Sequence, residues 1–189
     1  MLGPALAIIE LGSIARGYVA LDAANKRAVV QVVCAEPVSS GRYWFALRGG
    51  EAEVEEAFLA ACSAAHASKF DSLLLPFASE DIFEVLGGTF QRKAMLDAVG
   101  VVESGSICSA VRAVDAALKA ADVSLADLHL GAGIAGKAYF VVTGGQSSVE
   151  AAVEAGCEAA GTTWLIGHEV LANPDVAIHA ITGNRQSKR

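Results

Sequence analysis

Polar and apolar positions along the 189 residues follow one series of patterns that is run through twice. A short apolar run, at residues 7–11 and again at 99–103, is followed by Gly-Ser. The serine is placed to cap a helix by accepting from its first free N–H groups. The helix that follows puts Ile14, Tyr18 and Leu21 on one face, matched by Ile107, Val111, Val114 and Leu118. This i, i+4, i+7 spacing predicts an amphipathic helix. Two β-rich runs come next, at 29–34 with 43–47 and at 125–130 with 138–143, and the glycine turn between them predicts a hairpin.

A second helix is expected after Gly49-Gly50 and Gly144-Gly145, burying Val54, Phe58 and Ala61, or Val149, Val153 and Cys157. A last strand, at 72–75 or 163–166, closes the unit. The order β-α-β-β-α-β is a ferredoxin-like α+β arrangement, both helices lying on one face of an antiparallel sheet. A short terminal helix, at 80–86 or 174–181, is appended to each unit.

The two halves also match residue by residue. At an offset of 93, Glu10, Gly12, Ser13, Ile14, Asp22 and Lys26 lie over Glu103, Gly105, Ser106, Ile107, Asp115 and Lys119. After a two-residue slip, GRYWFALRGG from Gly41 lies over GKAYFVVTGG from Gly136 at an offset of 95. A period of about 94 residues has the size of a small domain, so two tandem domains are expected, at 1–93 and 94–189.

Composition removes several function classes. A net charge of −7 argues against a nucleic-acid binder, which needs a concentrated basic surface. The one basic cluster is the tail, Arg185, Lys188 and Arg189, expected to be solvated. No run of 18 uninterrupted apolar residues exists to span a bilayer as a helix, and the N-terminal run lacks a preceding basic region, so a cytosolic protein is expected. Cys34, Cys62, Cys108 and Cys157 are too scattered to signal a zinc site or a disulfide framework.

Residues 131–137, GAGIAGK, fit the dinucleotide fingerprint G-x-G-x-x-G and most of the phosphate-loop pattern. Both need a helix after the loop, whose N-terminal N–H groups face the phosphate. AYFVVTG follows instead, which predicts a strand, and Ala138 stands where a phosphate loop needs Ser or Thr. The matching segment of the first half, EPVSSGRYWF, keeps only Gly41 and a basic residue, Arg42. What the copies share is a tight hairpin in which Gly41 or Gly136 takes a positive φ.

The strand ending in Glu before Gly-Ser, the D-x-x-x-K-x-A pattern in DAANKRA and DAALKAA, and the hairpins PVSSGR and GIAGK together resemble the shell proteins of bacterial microcompartments. The resemblance spans both halves and is to the subclass with two fused shell domains. It implies a homotrimer forming a pseudohexagonal tile, tiles packed edge to edge with other shell proteins, hexameric and pentameric, and hairpin loops lining a central pore for small metabolites. The location implied is the cytoplasm, in the microcompartment shell. The pore positions carried over are Val38, Ser39, Ser40 and Gly41 in the first copy and Gly133, Ile134, Ala135 and Gly136 in the second. None is charged, so passage of small polar or uncharged molecules is expected, apart from what Arg42 and Lys137 add for anions.

Some fused-domain members hold an iron–sulfur cluster through a cysteine in the first loop. Here that stretch reads Ser39-Ser40-Gly41-Arg42, and a hydroxyl is a poor ligand for cluster iron, so no cofactor or metal is expected. The resemblance also places Lys26 and Lys119 along the tile edge, although Asp22–Lys26 and Asp115–Lys119 also read as ordinary i, i+4 helix pairs. In the terminal segments, Ser79-Glu80-Asp81 and Asn173-Pro174-Asp175 stand where the family often has a basic residue or Pro-His. A single-layer tile is favoured because the loop lacks the charges of the stacking, gated members.

Glu10 and Glu103 are equivalent by repeat and sit at strand ends, which favours a structural role, bonding to backbone or to a neighbouring chain. His66, His129, His168 and His179 form no repeated or closely spaced set, and no base lies near Cys108 in sequence. No catalytic constellation emerges, and a structural tile is expected rather than an enzyme. The alternative from another class is a trimeric ferredoxin-like regulator that binds a small molecule.

Overall fold

A computed structural model describes residues 3–92, 97–175 and 177–178. The expected domain boundary at 93/94 falls on residues outside that set, as do the basic tail and half of the terminal helix expected at 174–181. The chain divides into two compact units. The first is Met1–Thr89 with Ser106–Cys108 and Gly131–Gly136; the second is Phe90–Gly105, Ser109–Leu130 and Lys137–Arg189.

The first repeat runs β1 (Ala5–Leu11), α1 (Ile14–Arg27), β2 (Gln31–Pro37), β3 (Tyr43–Gly49), α2 (Glu51–Ala65), a 3-10 turn at His66–Ser68, β4 (Lys69–Leu75) and α3 (Glu80–Leu86). The second runs β5 (Ala98–Ser104), α4 (Ile107–Ala120), β6 (Ser124–Leu130), β7 (Ala138–Gly144), α5 (Gln146–Ala160) and β8 (Leu165–Ala172). Each forms a four-stranded antiparallel sheet, ordered β2-β3-β1-β4 and β6-β7-β5-β8. Even the irregularities repeat: the outer pairing slips between Glu10 and Leu11 in one sheet and between Glu103 and Ser104 in the other.

Local chemistry sets the helix starts. Ser13 is extended (φ −139°) and its Oγ accepts from the Arg16 N–H at 3.3 Å, capping α1 as expected. Gly50 and Gly145 lead into α2 and α5 in extended conformation. In the first unit the sheet face carrying Ala7, Ile9, Leu11, Phe45 and Leu47 packs on Ala20 and Ala24 of α1 and Val54, Ala57 and Ala61 of α2. Alternate strand residues supply one side of this core and small helix residues the other.

The opposite face of β1 is buried as well, with Leu6, Ile8 and Glu10 all at 0% exposure. Arg48, across from Leu6, stacks on the Phe83 ring of α3 at 3.6 Å. At the Glu10 end, the cover comes from Ser106–Cys108.

Expectation and fold differ most at two places, beyond shifts of two or three residues at the ends of β2 and β4. β8 begins at Leu165 and continues to Ala172, beyond the expected 163–166, because Gly161 (φ +73°) and a turn through Trp164 delay it. It is an edge strand whose Gly167, His168 and Glu169 hide its strand pattern. The apolar stripe of α1 is the second. Ile14 and Tyr18 are 41% and 62% exposed, and α1 buries Gly17, Ala20 and Ala24 instead. A Cβ on Gly17 would lie 2.3 Å from the Tyr43 ring, so close packing selects small residues there. Ile107, Val111 and Val114, their counterparts in α4, are fully buried.

Candidate functional site

The two hairpin loops at 38–41 and 131–136 come together within the first unit. In the first loop the Val38 N–H donates to the Arg42 carbonyl and the Gly41 N–H to the Val38 carbonyl, both at 2.9 Å. Gly41 sits at φ +78°. The second loop is closed by the Gly136 N–H donating to the Gly131 carbonyl at 3.2 Å, with Gly131, Gly133, Ala135 and Gly136 all at positive φ. Between the loops, the Gly133 N–H donates to Ser39 Oγ at 3.3 Å.

Of the eight loop residues carried over from the family resemblance, Ser39, Ser40, Gly41, Gly133 and Ala135 are exposed and Ile134 is half-buried. Val38 and Gly136 are buried beneath the tips. β7 follows Lys137 directly, so this glycine loop has no helix N-terminus behind it.

Arg42 ties the loops to the strands. Its Nε donates to Ser40 Oγ at 2.9 Å, its Nη2 donates to the Gly136 carbonyl, and its guanidinium stacks on the Phe70 ring at 4.1 Å. Its Nη1 lies 3.3 Å from Glu10 Oε2 as a charge contact without hydrogen-bond geometry. At 8% exposure, Arg42 is spent on holding the loops and adds no free cation at their tips, against the expectation of an anion-attracting role.

Glu10 receives the Cys108 backbone N–H and the Ser106 hydroxyl group on Oε1, each at 2.8 Å. The same Ser106 Oγ also hydrogen-bonds Asp71 Oδ2. Burial pushes the Glu10 carboxyl up, aided by the charge of Asp71. The Cys108 amide, the Ser106 hydroxyl and Arg42 pull it down.

Glu10, Asp71 and Cys108 bring three possible ligand atoms within 4.8 Å of one another. All three are already engaged, since the Cys108 thiol donates to the Ile8 carbonyl at 3.6 Å, and Arg42 supplies the positive charge there. The first-loop position that a cluster would need is the Ser39 hydroxyl, which accepts from Gly133. Sequence reasoning gave Glu10 a structural role but missed Arg42 and Asp71 as its partners. The available signal was a glutamate inside an apolar strand, with a basic residue after the hairpin glycine in both copies.

The same positions of the second unit are built differently. Lys137 Nζ lies 2.9 Å from Glu103 Oε1, and the two side chains are 48% and 41% exposed. The helix lysines each pair with the aspartate one turn earlier at 2.6 Å: Lys26 with Asp22 in the open, and Lys119 with an almost buried Asp115. Burial pushes the Cys34 thiol up to about 12, with the nearby Glu36 adding to the rise. No described helix is long and apolar enough to cross a membrane.

The BMC domain, the shell domain of bacterial microcompartments, matches this chain twice, over residues 5–76 and 98–174. The bacterial microcompartment shell protein PduT of Citrobacter freundii is 34% identical over 165 residues, covering 87% of this chain and 89% of that protein. A crystal structure of a microcompartment protein from Desulfitobacterium hafniense DCB matches with a TM-score of 0.80 at 31% identity, over 92% of this chain and 97% of that one. The fused permuted hexameric shell protein MSM0275 shares the fold, with a TM-score of 0.58 at 19% identity over 82% and 83% of the two chains. With both repeats matched and the sheet order the same in each, the chain belongs to the BMC-domain family and carries two such domains in tandem.

Proposed function

We propose that three copies of this shell protein form a pseudohexagonal tile in a microcompartment facet, with the loops at 38–41 and 133–136 around a central pore. Three chains with two loops each supply six loops about one axis. The observation that supports this reading is the bond from the Gly133 N–H to Ser39 Oγ, which makes the two hairpin tips neighbours. The exposed rim residues Ser39, Ser40, Gly41, Gly133 and Ala135 are uncharged. With Arg42 buried and paired, the pore passes small polar or uncharged metabolites with little selection by charge.

The role is that of a structural shell component, and the regulator alternative is not favoured, because the relatives are themselves shell proteins. Along the tile edge, Lys26 and Lys119 meet neighbouring tiles. Each such contact is weak, and repetition along every edge gives it effect. Electron microscopy of the purified protein, alone and with single-domain shell partners, tests this reading. Hexagonal sheets or closed shells with trimers in the facets are expected, and their absence under all mixing ratios would reject it.

A further inference from the structure

The repeat supplies two strand-end glutamates, Glu10 and Glu103, and two helices that start after Gly-Ser, α1 and α4, and among the described residues Glu10 is the glutamate that holds one of those two starts. Glu10 accepts the Cys108 N–H and the Ser106 hydroxyl at the beginning of α4. Under the repeat, Glu103 corresponds to Glu10, and Ser13, Ile14 and Ala15 correspond to Ser106, Ile107 and Cys108. Glu103, which pairs with Lys137, and the start of α1, capped by Ser13, make no such contact with each other among the described residues.

Burial follows the same division. Ile107, Cys108 and Val111 are at 0% exposure, whereas Ile14, Tyr18 and Val19 are 41%, 62% and 48% exposed and Ala15 is exposed. Glu10 is at 0%, whereas the Glu103 side chain is 41% exposed and has Lys137 beside it. An apolar stripe at the start of a capped helix and a half-exposed carboxylate with its own cation have the chemistry of the Glu10 junction with its two sides parted.

We propose that Glu103 holds the start of α1 of a second copy of this chain, accepting from the Ala15 N–H and the Ser13 hydroxyl as Glu10 accepts from Cys108 and Ser106. Charge supports the pairing, since the first turn of a helix favours an approaching carboxylate and α1 has no acidic residue of its own there. The apolar contribution comes from Ile14 and Tyr18, which the contact takes out of water as Ile107 and Val111 already are. Lys137, in the position of Arg42, neutralises the carboxylate once it is covered. The two sides of this seam differ, so it is head-to-tail, and such a contact closes into a ring when its rotation permits.

The seam rests on the trimer reading but adds its chemistry, and complementation separates the two. A Glu103→Ala variant keeps the α1 start and loses the acceptor. An Ile14→Asp variant keeps Glu103 and spoils the α1 face. Analytical ultracentrifugation of each alone should show association weakened by about tenfold or more per seam, with the unfolding transition of the dilute protein unchanged. Mixed one to one, the pair should form a heterodimer, because the intact α1 start of one copy docks on the intact Glu103 of the other.

If the wild type associates and both variants associate equally well, the seam is refuted while the tile reading stands. If both variants weaken association but their mixture gives no heterodimer, the head-to-tail pairing is refuted. A wild type that stays monomeric at high concentration overturns both.

Discussion

The Cys108 backbone N–H donates to the Glu10 carboxylate over 2.8 Å, so a glutamate from the first repeat holds the opening turn of a helix from the second. Sequence separation of 98 residues makes this a purely tertiary contact. Its components are individually ordinary: a carboxylate near a helix N-terminus, a hydroxyl donor and a buried guanidinium.

Replacing Glu10 should be among the costlier single changes. Glu10→Ala strands the Cys108 N–H and removes the anion facing buried Arg42, with an expected loss of about 3 kcal/mol of unfolding free energy. Glu10→Gln keeps an acceptor oxygen and should cost clearly less. Urea denaturation of the three proteins at one dilute concentration checks the order.

The same residue gives a signed pH dependence. The native Glu10 carboxyl titrates above its ordinary value near 4.5, chiefly because burial disfavours its charged form. A raised native value means that the folded state binds the proton more tightly than the unfolded chain does. Its contribution is therefore fully present below about pH 4.5 and is lost as pH rises through the native value. Carbon-13 carboxyl shifts, assigned by their disappearance in Glu10→Gln, should show a midpoint above 4.5, and the variant should lack this component of the stability profile.

Gly41 and Gly136 separate backbone strain from crowding. Both sit near φ +77°, at +78° and +76°. A Cβ on Gly41 meets nothing within 4 Å, so Gly41→Ala should cost about 1 kcal/mol from the left-handed backbone alone. A Cβ on Gly136 would lie 2.1 Å from Arg42 Nη2 and 2.6 Å from Ser40 Oγ, so Gly136→Ala must also displace the guanidinium. It should be the more destabilising of the two by thermal unfolding, and equal costs would contradict the packing described.

Cys34 should be slow towards alkylation. With its thiol pushed up to about 12, roughly one molecule in ten thousand carries the reactive thiolate at pH 8. Mass spectrometry after timed iodoacetamide treatment of the native protein should find Cys34 unmodified long after a free thiol has reacted. Denaturation should abolish the protection.

Lys26→Ala tests the tile edge without touching the fold. The Asp22–Lys26 pair is exposed on both sides, so its loss should change unfolding by no more than about 0.5 kcal/mol. Loss of extended sheets in electron micrographs, with the trimer retained, is the outcome expected. Normal sheets would remove Lys26 from the edge.

The sequence by itself determined the repeat, the order of elements and the strand after the glycine loop. These depend on local chemistry: Ser13 capping α1, apolar runs paired across a glycine turn, and β-branched and aromatic residues after Lys137 that cannot be read as the helix a phosphate site needs. What the tertiary structure decided was which of two matching faces is covered. Ile14 and Ile107 have the same spacing and the same side chain, yet one is 41% exposed and the other is buried. Hydrophobic periodicity reports that a face is apolar but not what lies against it. That depended on Glu10, Asp71 and Arg42 meeting Ser106–Cys108 and Gly136 across 35 to 98 residues of chain, where burial and charge pairing act through space and leave no local pattern.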